Sequence, residues 1–268
     1  MPAIALAFAL SAAVFHALWN LLLARSRDVE AATAVALVTA EVVFAPVTAV
    51  VWRADLGVWP WLVGSGAFEL AYFALLATAY RLAPLSVVYP VARGGAPVLV
   101  LVVSVVALGH GTNASQVIGV VLVVCGILLV RGLARADAKG LAFGVAIACC
   151  IAGYTLVDKH GIEHANPITY LELSMAVPTL VYASVVARMK DVRAAVRPAP
   201  VVAGLATFVA YALVLAALER ASAASVAAVR ETSVVVAAAL AAVVLKERVT
   251  RWRFAGACLV AGGIALLA

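Results

Sequence analysis

The sequence predicts an all-α membrane protein with ten transmembrane helices, arranged as two inverted five-helix repeats around a central cavity. Three observations support this fold class. Hydrophobic residues make up 66% of the 268 residues, charged residues only 12%, and the mean hydropathy is +1.14, whereas a soluble domain has roughly 25% charged residues. The chain also divides into ten apolar runs, and its two halves resemble each other.

Each apolar run is long enough, at about 20 residues, to cross ~30 Å of hydrocarbon as a helix. Helices are expected because lipid leaves free backbone groups unsatisfied, and the alternating ten-residue strands of a barrel do not occur in the sequence. The first run lacks a basic start, so we expect it to remain as a helix. The expected helices cover residues 2–24, 31–52, 61–80, 84–108, 115–131, 138–157, 167–187, 199–218, 222–245 and 251–267.

The two halves of the chain align at offsets of 137 to 139 residues. Because each copy has five helices, an odd number, the second copy starts on the opposite side of the membrane and the copies are inverted. This is the plan of secondary transporters, which bind near the membrane midplane between the halves. We assign residues 1–137 to the first repeat and 138–268 to the second. The paired positions are Gly119 and Gly256, Gly126 and Gly263, Arg93 and Arg230, Tyr72 and Tyr211, His16 and Tyr154, and Asn20 and Asp158.

Several short motifs occur in order along the chain. They are HALWN (16–20), LSVVYPVARGGAP (85–97), Leu-Gly-His and Leu-Lys-Glu at the ends of the fourth and ninth runs, and AGACLVAGGIALL (255–267). With the ten runs and two repeats, they resemble the EamA-type proteins of the drug/metabolite transporter superfamily. The resemblance implies a ten-helix basket with a central cavity that exports amino acids or related metabolites. His110 departs from the glutamate usual in the family, whereas Glu247 keeps that acid in the second repeat.

We therefore expect a secondary transporter that exports small metabolites across the inner membrane by alternating access. Amino acids, including hydrophobic and aromatic ones, are the first candidates; nucleotide sugars, cationic drugs and a channel function are the alternatives. The sequence has no hydrolase nucleophile motif and no P-loop, so we expect neither enzyme activity nor direct use of ATP. We expect no metal, cofactor or nucleic acid, a monomeric state, and protons as a candidate coupling ion.

Two arginines, Arg93 and Arg230, are predicted near the bilayer centre, where a lone arginine costs at least ~2.5–3.5 kcal/mol on insertion scales. Two interpretations remain open. Either arginine could form an ion pair with Glu41, Glu69 or Glu231, or it could bind a substrate carboxylate with two hydrogen bonds. Neighbouring positions on a helix point about 100° apart, so Arg230 and Glu231 are not expected to satisfy each other fully.

The residues around these arginines predict a cavity. Two prolines and two glycines flank Arg93, which predicts a kinked or unwound helix there. Helix packing is the competing explanation for the polar and aromatic stripes, and Asp158 is expected at a solvated helix end. The candidate substrate-binding residues are His16, Trp19 and Asn20 on the first run, Glu69, Tyr72 and Tyr80 on the third, Tyr89 and Arg93 on the fourth, Tyr211 on the eighth, and Arg230 and Glu231 on the ninth.

Basic residues are distributed unevenly between the two sides. Arg53, Lys159 and Arg220 belong to one set of loops. Fourteen belong to the other set: Arg25, Arg27, Arg81, Arg131, Arg135, Lys139, Arg188, Lys190, Arg193, Arg197, Lys246, Arg248, Arg251 and Arg253. The positive-inside rule places this larger set in the cytoplasm and both termini outside. The family resemblance favours both termini inside, so the orientation stays open.

Overall fold

A computed structural model describes residues 1–83, 85–109, 111–131, 138–236, 239 and 250–267. The fold is all-α, as the sequence predicts. The helices of the described residues are α1 (Ala3–Ala24), α2 (Val29–Val50), α3 (Trp59–Leu82), α4 (Leu85–Val106), α5 (Ala114–Arg131), α6 (Ala138–Gly161), α7 (Pro167–Met189), α8 (Pro198–Leu218), α9 (Ala223–Arg230) and α10 (Arg251–Leu267). His110 and Glu247 lie outside the described residues.

Polar side chains fix the first turns of several helices. Asp28 caps α2 by accepting a hydrogen bond from the Ala31 N–H at 3.1 Å. Asn166 caps α7 by accepting from the Thr169 N–H at 2.9 Å. Each side chain satisfies one of the backbone donors that a helix leaves free at its start. The short loops before α2 and α7 therefore lead directly into their helices.

Several helices have the length and composition of membrane spans. Within the described residues, α1, α2, α6, α7 and α8 are long and apolar enough to cross a membrane. Shorter apolar stretches cover 91–106 in α4, 114–129 in α5 and 254–267 in α10. Large apolar side chains such as Val50 and Phe254 are exposed on the outer faces of the helices. A lipid environment accounts for this exposure, so the chain is a multi-pass membrane protein.

The packing of the helices follows a two-fold relation between the repeats. Helix α1 packs on α8 as α6 packs on α3, and α2 packs on α8 as α7 packs on α3. Three further pairs map onto themselves, namely α2 with α7, α4 with α9 and α5 with α10. A two-fold rotation thus places each helix of one repeat on its counterpart in the other. Because each repeat has five helices, an odd number, the second repeat crosses the membrane in the opposite direction to the first. The two repeats are inverted copies around a shared centre.

Helices α5 and α10 bring their backbones into close approach. A Cβ added to Gly126 would lie 2.5 Å from the Gly256 carbonyl oxygen. A Cβ added to Gly119 would lie 3.0 Å from the Gly263 carbonyl oxygen. The two contacts are equivalent under the two-fold relation, because the alignment pairs Gly119 with Gly256 and Gly126 with Gly263. Small residues allow membrane helices to approach in this way.

The fourth helix remains helical around Arg93. The backbone is α-helical over Leu85–Val106, so the helix is not unwound there, and the kink that was the other expectation stays a prediction. Membrane helices tolerate proline because neighbouring groups satisfy the freed backbone atoms. The glycines serve packing instead, since a Cβ added to Gly95 would lie 3.2 Å from the Ala148 Cβ of α6.

The interruption occurs in the second repeat. Helix α9 ends at Arg230, Glu231 and Thr232 form a turn, and helical backbone resumes over residues 233–236. The continuous ninth helix expected over 222–245 is therefore wrong in its described part.

Candidate functional site

A cavity of about 810 Å³ extends from the centre of the bundle to one of its ends. At the centre it is lined by His16, Arg93 and Arg230. At its outer end it is lined by residues of the α1–α2 loop, including Asp28, and by Lys190 after α7. These two loops belong to the side with more basic residues, which we call the basic side. The cavity opens toward the basic side.

Two arginines share one glutamate at the inner end of the cavity. Arg93 Nη1 lies 3.3 Å from both Oε1 and Oε2 of Glu231. Arg230 donates to Glu231 Oε1 from Nε at 3.3 Å and from Nη2 at 3.2 Å. All three residues are buried. Because two guanidinium groups face one carboxylate, this three-residue group carries a net positive charge.

Arg230 and Glu231 form an ion pair, and Glu231 is shared with Arg93, so the expectation that these neighbours do not satisfy each other fully stays compatible with the structure. Regular helical spacing would separate their side chains by about 100°. Helix α9 ends at Arg230, however, and Glu231 stands in the turn that follows. The Glu231 carboxylate contacts both Arg230 and Arg93.

His16 connects the arginine pair to the α1 wall. Arg93 Nη2 lies 2.9 Å from His16 Nε2. A guanidinium group only donates, so His16 Nε2 accepts this hydrogen bond. The Trp19 Nε1–H lies 3.3 Å from His16 Nδ1. A neutral imidazole has a single acceptor nitrogen, so His16 accepts from either Arg93 or Trp19 at any one time.

Asn20 lies one turn beyond His16 on the same wall. Its side-chain amide donates to the His16 carbonyl oxygen at 2.7 Å. This hydrogen bond holds the amide against the helix backbone and leaves its carbonyl oxygen as an acceptor at the cavity surface.

Three tyrosines form a row along the cavity. The ring of Tyr154 lies edge-on to Tyr72, at 6.4 Å between centroids, and to Tyr211, at 6.0 Å. The Arg230 guanidinium lies 5.8 Å from the Tyr154 ring centroid, where the ring face attracts a cation. Phe208 also lines the cavity. This wall offers apolar surface next to the charged centre.

Two buried carboxylates, Glu69 and Asp158, belong to the helices that carry Tyr72 and Tyr154. Asp158 is only 1% exposed and accepts hydrogen bonds from the Tyr170 hydroxyl, at 3.0 Å, and from the Tyr211 hydroxyl. Glu69 is also buried, and it lines the cavity. The expectation of a solvated helix end at Asp158 is wrong, because α6 continues to Gly161 and packs this residue inside the bundle.

At the open end of the cavity, Lys190 forms ion pairs with Asp28 and Glu30. Lys190 Nζ lies 3.0 Å from Asp28 and 3.2 Å from Glu30. The pKa of Asp28 is lowered because its carboxylate accepts from the Ala31 N–H and from Lys190. The pKa of Lys190 is raised by the hydrogen bonds to Asp28 and Glu30. This group joins the α1–α2 loop of the first repeat to the end of α7 in the second.

The opposite end is sealed by contacts between loops of the two repeats. Ala54 and Ala165 form an antiparallel bridge with backbone hydrogen bonds on both sides of it. Asp55 lies 3.0 Å from His164 Nδ1. Lys159 donates to carbonyl oxygens at the end of α8. Over the described residues, the structure is thus open to the basic side and closed at the other.

The structure brings most of the candidate residues together. The candidates that line the cavity are His16, Trp19, Asn20, Glu69, Tyr72, Arg93, Tyr211 and Arg230. Glu231 lies behind this surface and holds the two arginines. The side chains of Tyr80 and Tyr89 lie outside the described residues.

Two residues of this region were missed from the sequence. Tyr154 lines the cavity between Tyr72 and Tyr211, and Asp158 joins Tyr211 from behind. The repeat alignment held a signal for both, because it pairs Tyr154 with His16 and Asp158 with Asn20.

The chain was compared with known proteins. A family model described as the EamA-like transporter family matches residues 3–132 and again 138–268. No curated protein gives a significant match. A solved structure titled "Crystal structure of protein" is similar with a TM-score of 0.79 and 16% sequence identity, covering 99% of this chain and 96% of its own. That likeness concerns the fold. The family match spans nearly the whole chain, which is therefore a member of the EamA-like transporter family and a membrane transporter of the drug/metabolite transporter superfamily.

Proposed function

We propose that this protein is a secondary transporter that exports amino acids, hydrophobic and aromatic ones included, across the inner membrane by alternating access. The observation that carries this proposal is the charge arrangement in the central cavity. The net positive group of Arg93, Arg230 and Glu231 stands at its inner end, and Glu69 of α3 adds a carboxylate to the lining of the same cavity. A zwitterion presents the complementary pair of charges.

The carboxylate of the substrate would bind to the arginine pair. A planar guanidinium matches a carboxylate with two parallel hydrogen bonds, which an ammonium does not provide. The Trp19 indole N–H, which lies beside His16 in the cavity lining, would add a further donor. The Glu69 carboxylate would take the ammonium group. The substrate-binding role thus falls on His16, Trp19, Arg93, Arg230 and Glu69.

The aromatic wall supports amino acids with apolar side chains. Tyr72, Tyr154, Phe208 and Tyr211 present rings to the cavity next to the charged centre. A volume of about 810 Å³ exceeds what one amino acid fills and lies within the ~300–1,000 Å³ typical of ligand pockets. Amino acids with side chains of different sizes would therefore fit the cavity while their carboxylates bind the same arginine pair. We propose a broad selectivity among amino acids.

The direction of transport follows from the orientation. If the positive-inside rule holds, the basic side is cytoplasmic, and the structure represents the state that loads substrate from the cytoplasm. Closure at the basic side and opening at the Ala54–Ala165 bridge would release substrate outside. The inverted repeats support such a change, because exchanging the conformations of two equivalent halves turns one open state into the other.

Counterflow in liposomes tests the proposal. Purified protein is reconstituted into vesicles loaded with one unlabelled amino acid, and entry of the same labelled amino acid is followed. Saturable, accelerated entry of phenylalanine or leucine, relative to empty vesicles, is expected. Counterflow of nucleotide sugars or cationic drugs in place of any amino acid would contradict the substrate class, and ion conductance without counterflow would indicate a channel.

A further inference from the structure

Glu41 of α2 is a carboxylate at the cavity surface that the proposed binding site does not use. It is partly buried, lies nine residues before α2 ends at Val50, and lines the cavity. The sequence offered it as an ion-pair partner for Arg93 or Arg230, but both of these arginines bind Glu231. Over the part of the chain that the structure describes, no cation lies within ion-pair distance of Glu41.

A carboxylate in this position requires a compensating charge. A charged side chain near the middle of a membrane-spanning helix is unfavourable unless a cation or water stands beside it. Glu41 borders the cavity, so a compensating cation reaches it through the cavity. Lys190 at the cavity mouth does not serve, because it is held by Asp28 and Glu30. A ligand that enters the cavity is therefore the source of this cation.

The charges of the cavity do not balance with a zwitterion alone. Arg93, Arg230 and Glu231 together carry one net positive charge, which a substrate carboxylate neutralises. Glu41 and Glu69 add two carboxylates to the lining, and the single ammonium group of a zwitterion neutralises one of them. A neutral amino acid thus leaves one carboxylate uncompensated, whereas a ligand with a second cationic group compensates both.

Glu41 and Glu69 stand at similar depth on the two helices that α7 packs against. Glu41 is nine residues from the closed end of α2, and Glu69 is ten residues from the closed end of α3. These separations correspond to about 14–15 Å along either helix. Leu171 and Met175 of α7 also line the cavity, and Met175 lies about 12 Å along α7 from the same end. These two side chains offer an apolar surface on which the methylene groups of a long side chain pack.

Aromatic rings accompany Glu41 on its side of the cavity. Phe44 follows Glu41 by three residues, so both lie on one face of α2. The Phe44 ring stacks on the Phe208 ring of α8, with 4.0 Å between centroids, and Phe208 lines the cavity. An aromatic ring attracts an ammonium or guanidinium group, whereas a metal ion such as Ca²⁺ needs several oxygen ligands. This environment suits an organic cation on an apolar stem.

We propose that Glu41 is a second cation subsite, which binds the side-chain ammonium or guanidinium group of dibasic amino acids such as lysine, ornithine and arginine. This inference rests on the proposed amino acid transport. The substrate carboxylate binds the arginine pair and the α-ammonium group binds Glu69, as for other amino acids. The side chain then follows the α7 surface to Glu41. A diamine without a carboxylate leaves the arginine pair unmatched, so it binds less tightly than lysine.

The test compares lysine with norleucine, which has the same carbon chain without the terminal amine. Each competes with labelled leucine in liposome counterflow, and the ratio of the norleucine to the lysine inhibition constant is measured. Glu41→Gln should lower this ratio about 10- to 100-fold, because a hydrogen bond to a charged group is lost. Glu41→Asp, which keeps the charge, should restore part of it. Glu172→Gln on α7 is the matched control, because this carboxylate does not line the cavity, and its ratio should equal that of wild type.

Each outcome decides a separate question. A ratio that Glu41→Gln leaves unchanged overturns the subsite while the transport function stands, as does equal weakening of lysine and norleucine. Cadaverine, which is lysine without its carboxyl group, should compete less well than lysine, and equal competition also overturns the proposal. Absent counterflow for every amino acid refutes the transport function itself. The rise in Tm in detergent then tests the subsite alone: a larger rise with lysine than with norleucine that Glu41→Gln abolishes supports it, and equal rises in wild type overturn it.

Discussion

Arg93 of the first repeat and Glu231 of the second form an ion pair across the centre of the protein, with Arg93 Nη1 at 3.3 Å from both carboxylate oxygens. The carboxylate also accepts from Arg230, the residue that corresponds to Arg93 in the repeat alignment. Glu231 therefore holds both equivalent arginines. Under the proposed function, a substrate carboxylate would meet guanidinium groups already held in position.

Arg93→Lys should weaken substrate binding while the protein still folds. A lysine ammonium keeps the charge near Glu231 but loses the planar two-point grip. Loss of a hydrogen bond to a charged group costs about 1.5–3 kcal/mol, which corresponds to about 10- to 100-fold in affinity. The measurement is the rise in Tm on adding amino acid in detergent, since a ligand stabilises only the protein that binds it. An undiminished rise for the lysine variant would remove Arg93 from the binding role.

Glu231→Gln should destabilise the protein more than Arg93→Lys does. Glutamine is uncharged, so Arg93 and Arg230 remain close together without a carboxylate to balance their positive charges. Breaking a buried ion pair by removing one partner costs about 3–5 kcal/mol. Thermal unfolding in detergent without substrate should show this loss. A Tm of Glu231→Gln equal to that of Arg93→Lys would show that the shared carboxylate has no structural role.

Gly126→Ala should destabilise the contact between α5 and α10. The new Cβ would lie 2.5 Å from the Gly256 carbonyl oxygen, so the helices must separate. Overpacking of this kind costs about 1–3 kcal/mol. Gly262→Ala is the control in α10, because a Cβ there meets no atom within 4 Å and alanine has the higher helix propensity. Its Tm should equal or exceed that of wild type, and equal Tm values for both variants would contradict the close contact.

A disulfide between positions 54 and 165 should lock the protein open to the basic side. The backbone hydrogen bonds flank the Ala54–Ala165 pair, as in a non-hydrogen-bonded antiparallel pair. The Cα atoms of such a pair are about 4.5 Å apart, which suits a disulfide. In a variant whose four native cysteines are alanine, oxidised Ala54→Cys/Ala165→Cys should lose counterflow, and a reductant should restore it. Each single cysteine is the control, and full activity of the cross-linked protein would show that this end does not open during transport.

The ion-pair group at the open end should respond to both acid and base. The pKa of Asp28 is lowered in the folded protein, so its contribution is present above the unfolded pKa and is lost as the pH falls through the folded pKa. The pKa of Lys190 is raised, so its contribution is complete below the unfolded pKa and is lost as the pH rises through the folded pKa. Lys190→Gln should therefore lower the Tm slightly between about pH 4 and pH 10. A difference from wild type that persists unchanged outside this window would contradict the ion-pair origin.

The helices and the repeats could be predicted because hydropathy and small-residue spacing are local signals. The alignment pairs Gly119 with Gly256 and Gly126 with Gly263, so the two close contacts between α5 and α10 correspond to each other under the two-fold relation. The candidate residues on α1 and α3 were found because each helix presents them on one face. These properties depend on neighbouring residues along the chain.

The errors concern residues whose environment comes from other helices. Asp158 looked solvated because Lys159 and His160 follow it, but Tyr170 and Tyr211 reach it from α7 and α8. The flexible-looking segment around Arg93 stays helical, whereas Glu231 sits in a break that no proline or glycine marks. Neither packing across helices nor a break driven by buried charges has a sequence period.

The shared carboxylate also has an evolutionary consequence. In a dimer of two identical five-helix chains, every charged residue occurs twice, so the total charge at the axis is an even number. In the joined chain, Gly94 stands where the alignment would place a second Glu231, and two arginines meet a single carboxylate. An odd net charge at the centre thus requires that the two copies are linked and then diverge in sequence. It makes the charge distribution at the centre of a nearly symmetric protein asymmetric.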